Sequence, residues 1–314
     1  MIDPTSPTRP PQPPTAPVHA PVMVDEVLTL LAPPPGGHVI DATVNGGGHA
    51  REMLHRIGPD GRLLGLDRDP SVLAELRRAA AADVDRGRLL LVAASFARIA
   101  EVALAAGFPP ADAILFDLGI SSYHLESSGR GFSFERQEPL DLRFDADDRS
   151  TPTAAELLRR LPPEELARIF HTYGEERYAR RIARHIGHSR VRHPLRTATD
   201  LRDCVLEALP GPARRHGRRS VARVFQALRI VVNAELGAVE QALPQIPRLL
   251  RPGGRVAVIS FHSLEDRIAK GFFRAAARNG DLVVLTKKPL RPTAAEVARN
   301  PRAASARLRV AERA

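Results

Sequence analysis

The sequence has a single cysteine, only three lysines and no tryptophan. Because Cys204 has no cysteine partner, a disulfide framework and a cysteine-ligated zinc site are excluded, and we expect a reduced, cytosolic compartment and no bound metal. No apolar run approaches the roughly 20 residues that a membrane-spanning helix needs, and the start of the chain lacks the apolar core of a secretory signal. These absences predict a protein of the cytoplasm that does not enter a membrane.

The chain is long and strongly basic. It has 314 residues, of which 43% are hydrophobic, and this is enough for one large domain or two moderate ones. The formal net charge is +10, and the segment from Arg177 to Arg229 is more basic than the whole chain, with fourteen arginines against three acidic residues. This segment predicts a polyanionic partner. Two plainer explanations stay open, a solvated helix face and the arginine bias of a GC-rich genome.

The order of the predicted elements favours an α/β fold. Strands alternate with helices up to Leu125 and again after the helical spacing of Phe225 to Leu243, which predicts a doubly wound, mostly parallel sheet. The predicted strands are Val39–Ala42, Arg62–Leu66, Leu89–Val92, Ala113–Phe116, Val256–Ile259, Leu282–Leu285 and Leu308–Val310.

A proline-rich start and a helical interruption divide the chain. Met1–Pro17 contains seven prolines and almost nothing apolar, which predicts a disordered tail. From Thr153 the apolar spacing is helical, and no strand is predicted before the alternation resumes. The predicted divisions are a tail at 1–18, a sheet domain at 19–126 and 222–314, and a helical insertion at 127–221.

The most informative segment is the loop from Asp41 to His49, between a predicted strand and a predicted helix. Its glycines let the backbone approach a ligand at the carboxyl edge of the sheet, and Asp67 follows at about the spacing of an acid that binds ribose hydroxyls. A nucleoside cofactor is therefore predicted, with a tight structural turn as the alternative. S-adenosylmethionine is favoured over NAD, since the contiguous glycines do not form G-x-G-x-x-G and Asp41 suits the amino-acid end of the former.

Two other segments carry polar residues with two possible roles each. Asp117 ends the fourth predicted strand, where it either faces a ligand or caps the next turn. Asp141 and Arg143 form either a site or a local salt bridge. A Ser–His–Asp hydrolase has no support, because no G-x-S-x-G segment is present.

Helix starts are also predicted from local patterns. Thr153 and Glu156 have the spacing of a capping box. Near the C-terminus, His262 is interpreted as a structural group on a loop, and Ser263 and Glu265 as the residues that cap the following helix.

Several long segments match the motifs of one protein family, and they occur in the same order along the chain. They are His19–Met23, Asp41–His49, Leu66–Pro70, Asp117–Ser122, Gly131–Phe134, Tyr173–Arg177, Phe225–Ile230, Ser260–Arg267, Asn300–Arg302 and Leu308–Arg313. Together they resemble the bacterial 16S ribosomal RNA cytosine-N4 methyltransferases, a family called RsmH or MraW. The resemblance runs from His19 to the C-terminus, and it implies a Rossmann-like methyltransferase domain interrupted by a helical domain.

The resemblance also implies roles for individual residues. Those expected at S-adenosylmethionine are Gly47, Gly48, His49, Asp67, Phe96, Asp117 and His124. His124 stands where many members carry glutamine, and both side chains can form hydrogen bonds. Asn45 and the pair Arg219-Ser220, where members often have His-Pro, are further departures from the pattern.

The reaction implied by the resemblance is methyl transfer from S-adenosylmethionine to the exocyclic N4 amine of a cytidine in the decoding region of 16S ribosomal RNA, within the small subunit. Asp117 and Ser121 are the expected catalytic residues at the amine. The expected RNA-binding residues are Arg143, Arg214, Arg215, Arg218, Arg219 and Arg223.

Two other classes of protein stay open from the residues alone. One is an RNA-binding assembly factor with a vestigial cofactor pocket, against which the intact Gly47, Gly48 and Asp67 argue. The other is a nicotinamide oxidoreductase, against which the basic segment and the glycine spacing argue. The target nucleotide, the choice of base or ribose, and the oligomeric state are not determined by the residues.

Overall fold

The structure is a computed structural model that describes residues 21–314. The predicted tail and the first two residues of the His19–Met23 segment lie outside the described residues. The strands are β1 His38–Asp41, β2 Arg62–Asp67, β3 Leu89–Ala93, β4 Ala111–Asp117, β5 Leu250–Ser260, β6 Leu282–Val284 and β7 Arg307–Arg313.

The α-helices alternate with strands in the first part of the chain and follow one another in the middle. The first group is α1 Val24–Leu31, α2 Gly48–Ile57, α3 Pro70–Ala79, α4 Ala81–Asp85, α5 Ile99–Ala105 and α6 Ser122–Glu126. The middle group is α7 Ala154–Arg160, α8 Pro163–Gly174, α9 Ala179–Arg192, α10 Ala198–Ala208, α11 Gly211–Arg214 and α12 Gly217–Asn233. The last group is α13 Glu235–Ala242, α14 Ile246–Leu249, α15 Ser263–Arg278 and α16 Ala294–Arg299. Within residues 21–314, none of these helices combines the length and the apolar character needed to cross a membrane.

The described strands form one seven-stranded sheet in the order β3-β2-β1-β4-β5-β7-β6. The first five are parallel, and β7 pairs antiparallel with both β5 and β6. Ile40 of β1 lies between Leu64 of β2 and Ile114 of β4, so the chain order reverses on either side of β1. The prediction of an α/β fold with a mostly parallel sheet is confirmed.

Alternate residues of the strands pack on opposite faces of the sheet, each covered by helices. Ile40, Leu64 and Phe116 belong to a core shared with α5, α13 and α15. Their neighbours along the strands, Val39 and Leu63, belong to a core shared with α1, α2 and α3. The sheet is therefore wound on both faces, as predicted, and its carboxyl edge is left for loops.

The middle helices enclose a third core of their own. Phe170 of α8, Ile182 of α9 and Leu228 of α12 are all fully buried in it. The predicted boundary at 221/222 falls inside α12, whose buried residues contribute to this core as far as Val232. Since α12 contributes to this core from Val221 to Val232, its packing favours a boundary near Asn233 over the predicted one.

Several element ends differ from the sequence predictions. The helix predicted through Phe225 to Leu243 is broken at Ala234, which has a φ of 49° and ends α12. Strand β5 starts at Leu250, earlier than predicted, because Gly253 at φ 74° and a register shift against β4 allow pairing before the predicted start. The remaining strands differ from their predicted ends by one to three residues.

Two of the predicted helix starts can be compared with the structure. Thr153 and Glu156 form the predicted capping box. At α15 the cap is His262 and not Ser263, because the His262 ring accepts the Glu265 N–H while the Glu265 side chain accepts the His262 N–H.

Candidate active site

A cleft lies at the carboxyl edge of the sheet, where β1, β2 and β4 end. Its empty volume, including the open solvent at its mouth, is about 640 Å³. The lining residues are Ala42, Thr43, Asn45, Asp67, Arg68, Ala94, Phe96, Asp117, Leu118, Gly119, His124, Phe144, Glu235, Ala238, Val239 and Glu265. The predicted residues Asp67, Phe96, Asp117 and His124 therefore meet at one cleft.

The glycine loop shapes one side of this cleft through its backbone. Asn45 lines the cleft with a φ of 48° and donates its N–H to Asp67 Oδ2 at 3.0 Å. Gly47 has a φ of 77°, and a Cβ there would overlap the Leu76 side chain. A Cβ on Gly48 would lie 3.0 Å from Pro21. Neither glycine is among the lining residues, so their cofactor contacts stay a prediction, while their packing explains why side chains are excluded.

Asp67 is held rigidly at the end of β2. Its Oδ2 accepts the Asn45 N–H, and its Oδ1 accepts the Asp69 N–H at 2.9 Å. Burial raises the pKa of Asp67, and the neighbouring charge of Asp69 raises it further, while the hydrogen bonds and His124 oppose this effect. A half-buried carboxylate at the cleft that has lone pairs left for hydroxyl donors is suited to a ribose.

Asp41, His49 and Asp117 form an acidic group beneath the loop. Asp41 is 1% exposed; its Oδ1 accepts the Thr43 N–H at 3.2 Å, and its Oδ2 has no partner among the described residues. Burial raises the pKa of Asp41 to about 7, Asp117 and Asp67 add to the shift, and His49 opposes it. His49 Nε2 lies 3.5 Å from Asp117 Oδ2 without a hydrogen bond. A cationic ligand above this group would favour the ionised form of Asp41.

His124 is held by its neighbours rather than free in the cleft. Its Nδ1 lies 2.6 Å from Ser121 Oγ, and its Nε2 lies 3.1 Å from Asp69 Oδ2. Its ring contacts Phe132 and Phe144 edge-on, with centroids 5.0 Å apart in both cases. Both ring nitrogens are used within the protein, so the predicted cofactor contact of His124 is limited to its ring face and edge.

Asp69 anchors this arrangement from the start of α3. Its side chain caps the helix by accepting the Ser71 N–H at 2.9 Å, and Arg130 also forms an ion pair with it. Burial alone would raise the pKa of Asp69, but the hydrogen bonds from His124 and Arg130 outweigh burial and lower it to about 2. The charged network holds the helical part of the chain against the sheet part.

Of the two predicted catalytic residues, Asp117 lines the cleft and Ser121 does not. Asp117 lines the cleft; its Oδ1 accepts the Gly119 N–H at 3.2 Å, and its own N–H donates to Thr43 Oγ1 at 2.6 Å. Ser121 is 7% exposed and caps α6 by accepting the His124 N–H at 3.3 Å. Its hydroxyl is outside the cleft lining, and the predicted role of Ser121 in the chemistry has no support from this position.

The six predicted RNA-binding arginines have different surroundings. Arg143 is inside a loop, with Nε 2.7 Å from Asp141 Oδ1 and Nη2 2.8 Å from Asp141 Oδ2, and its Nη1 donates to the Asp148 carbonyl. The hydrogen bond with Asp141 raises the pKa of Arg143. This geometry favours the local salt bridge over an RNA contact.

The other five predicted arginines are exposed on the helical part. Arg214 donates to two backbone carbonyls at the end of α10. Arg218 lies 3.3 Å from Glu135 and Arg223 lies 3.8 Å from Glu176. The side chains of Arg215 and Arg219 make no hydrogen bond or ion pair with other described residues, and they are the two most available for an external anion.

Sequence reasoning missed two acidic residues of the cleft. Glu235 begins α13 just after the break at Ala234, and both of its oxygens pair with Arg229 at 2.8 Å. Glu265 is 2% exposed and stands in the first turn of α15. These two carboxylates and His262 have ligand atoms within 4.8 Å of one another, a spacing that could hold a cation. The Glu235 carboxylate is already paired with the Arg229 guanidinium. The only sequence signal was the cap pattern, which identified Glu265 as structural.

Comparison with known proteins places this site in a family. The model of the MraW methylase family matches residues 16–314, which is nearly the whole chain. The chain belongs to the MraW methylase family. It is accordingly an S-adenosylmethionine-dependent methyltransferase, and the resemblance inferred from the sequence is confirmed.

Individual relatives of the methylase match over most of their length. Proteins named Ribosomal RNA small subunit methyltransferase H are 46% identical in Magnetococcus marinus, over 94% of this chain and 98% of that protein, and 48% identical in Acidothermus cellulolyticus, over 95% and 94%. A solved rRNA methylase from Streptococcus thermophilus is 10% identical with a TM-score of 0.40, over 92% of this chain and 93% of that chain. At that TM-score the structural likeness carries no argument about the site.

The cleft of the methylase fits its cofactor on three observations. Asp67 offers a fixed carboxylate for ribose hydroxyls, and Phe96 offers an aromatic face beside it, 5.7 Å from Phe116. Asp41 precedes the lining residues Ala42 and Thr43 in the chain and carries a buried carboxylate oxygen with no hydrogen-bond partner among the described residues. Excess acidic groups suit a cofactor that carries a sulfonium and an ammonium charge.

Proposed function

We propose that this methylase transfers a methyl group to the exocyclic N4 amine of a cytidine in the decoding region of 16S ribosomal RNA, within the small ribosomal subunit. The relatives named Ribosomal RNA small subunit methyltransferase H, at 46–48% identity over almost the whole chain, support the RNA substrate. Since bacterial ribosomal subunits assemble in the cytoplasm, we place the enzyme there.

One structural observation carries the proposal. An acidic cleft at the sheet edge, suited to a cationic methyl donor, adjoins a helical unit whose exposed arginines suit a polyanion. We propose residues 127–233 as the RNA-recognition unit, with Arg215 and Arg219 as its most available cations. A base in a folded RNA must leave its stack to enter the cleft, and the helical unit is placed to hold the flanking phosphates.

Each cleft residue has a proposed task. S-adenosylmethionine supplies an activated methyl group when bound. Asp67 holds the ribose hydroxyls, Asp41 favours the cationic amino-acid end, and Gly47, Gly48 and His49 shape the loop around it. Asp117 lines the cleft between the cofactor and the base. The chain thereby fixes the position of the donor, which is the condition for in-line transfer to a weak nucleophile.

The experiment is direct. Small subunits from cells that lack this enzyme are incubated with the purified protein and labelled S-adenosylmethionine, and the RNA is digested to nucleosides and to mapped fragments. We expect label in N4-methylcytidine at one site of 16S ribosomal RNA. Label in 5-methylcytidine or in a 2′-O-methyl nucleoside, or label only in large-subunit RNA, would overturn the proposal.

A further inference from the structure

Glu265 is a buried acidic residue of the cleft with one carboxylate oxygen that accepts no hydrogen bond. It is 2% exposed, and its Oε2 accepts the Phe261 N–H at 2.8 Å and the His262 N–H at 3.3 Å. Its Oε1 accepts no hydrogen bond from the described residues in good geometry, although it belongs to a residue that lines the cleft. Oε1 therefore has lone pairs available to an N–H donor in the cleft.

Each of the other carboxylates of the lining accepts at least one hydrogen bond within the protein. Asp67 accepts a backbone N–H on each oxygen. Glu235 gives both oxygens to Arg229. Asp117 accepts the Gly119 N–H on Oδ1, and its Oδ2 faces His49 at 3.5 Å. Among the described lining residues, Glu265 Oε1 and Asp117 Oδ2 are therefore carboxylate oxygens that accept no hydrogen bond, and the Glu265 side chain is the more buried of the two, 2% exposed against 13%.

His262 fixes the orientation of this oxygen. As the cap of α15 its Nδ1 accepts the Glu265 N–H, so the neutral ring carries its proton on Nε2. That Nε2 lies 3.0 Å from Glu265 Oε1, and the contact falls short of hydrogen-bond geometry. The ring thus stands against one side of Oε1 and leaves the oxygen able to accept from the cleft.

We propose that Glu265 is a catalytic residue whose Oε1 accepts an N–H of the substrate amine and takes its proton, with His262 as its positioning residue. The proposal rests on the proposed function. As the nitrogen lone pair forms the N–C bond, the S–C bond of the sulfonium breaks and its electron pair stays on sulfur. The proton lost from nitrogen passes to Oε1 and then to water. A fixed carboxylate stabilises the positive charge that develops on nitrogen. This stabilisation matters most for an amine whose lone pair is delocalised into a ring.

The test compares two isosteric variants of the full-length enzyme with small subunits as substrate. Glu265→Gln removes the negative charge and the proton acceptor, and we expect kcat to fall by about 100- to 1000-fold. The affinity for S-adenosylmethionine, measured by calorimetry, should stay within about twofold, because only the transition state loses an interaction. Glu240→Gln removes the same charge from an exposed position on α13 and should keep the wild-type kcat.

A second variant tests the positioning role without loss of the helix cap. Asn is a good cap, so His262→Asn keeps an acceptor for the Glu265 N–H while removing Nε2. We expect kcat to fall by about tenfold, with an unchanged KM for the subunit and an unchanged melting temperature. A wild-type kcat for this variant would overturn the role of His262.

Two results would overturn the role of Glu265. One is a folded Glu265→Gln enzyme with wild-type kcat, and the other is a loss of cofactor affinity as large as the loss of kcat. Failure of the proposed function is distinguishable, because it would appear in the wild-type enzyme as label in a nucleoside other than N4-methylcytidine, whatever the variants do.

Discussion

Asp67 is the single residue whose replacement tests the cofactor cleft most directly. Asp67→Ala should weaken S-adenosylmethionine binding by about 1–3 kcal/mol, since the ribose hydroxyls lose a charged acceptor. The same change releases the Asn45 and Asp69 N–H groups, so some loop order should also be lost. Calorimetry measures the affinity, and a thermal melt checks that the protein stays folded. An unchanged affinity in a folded variant would remove Asp67 from the cofactor site.

Because of Asp41, we expect the affinity of the cleft for S-adenosylmethionine to depend on pH in a definite direction. Its pKa of about 7 lies above the ordinary 3.8, so the free protein holds a proton there that a nearby cation expels. Affinity for S-adenosylmethionine should therefore rise with pH up to about 7, by at most about tenfold per pH unit, and binding should release protons. Calorimetry in buffers of different ionisation enthalpy measures that release.

The matched variant for this prediction is Asp41→Asn. It should bind the cofactor with little dependence on pH and without proton release. The folded protein favours the protonated carboxyl, so the stability that Asp41 contributes is present below about pH 4 and is lost as the pH rises through 7. The variant without cofactor should consequently be more stable than wild type above pH 7. Equal proton release by the two proteins would contradict the assignment.

At the scale of elements, the break between α12 and α13 offers a clean test of backbone strain. Ala234 has a φ of 49°, a conformation that glycine adopts at no steric cost and alanine does not. Ala234→Gly should stabilise the protein by about 0.5–1 kcal/mol. The control is Ala222→Gly at an exposed position inside α12, which should destabilise by about 1 kcal/mol. Urea denaturation of both variants measures the two free energies, and the same sign for both would contradict the argument.

The strand-end acids of the cleft were predicted from the sequence, whereas this break and two other acidic residues of the cleft were not. Asp41, Asp67 and Asp117 were placed correctly because apolar runs identify buried strands, and parallel strands end at one edge. The helix break at Ala234 was not predicted, because alanine favours helix and no local sequence pattern indicates a turn. Glu235 and Glu265 were missed because they reach the cleft only through the packing of α13 and α15, which brings together residues distant in the chain.

At the scale of the molecule, the helical unit is joined firmly to the sheet. Asn233 connects the two, with its carbonyl accepting from Arg68 at 2.5 Å and its amide donating to the Leu142 carbonyl at 2.7 Å. Ser263 at the start of α15 donates to Glu175 at the end of α8 at 2.7 Å. These contacts flank the cleft and hold the helical unit beside it.

The proposed binding of RNA by the helical unit is testable through its dependence on salt concentration. Arg215 and Arg219 are exposed, and their side chains have no partner among the described residues, so each is free to neutralise one phosphate. Replacing both with Ala should weaken binding to the small subunit and reduce the slope of log K against log salt by about 1.4–1.8. Cofactor affinity should not change, since neither residue lines the cleft. The control removes the same charge from Arg274 and Arg278, exposed on α15. If the double variant and wild type have the same slope, or if the control lowers it equally, the RNA is held elsewhere and the helical unit does not read the phosphates.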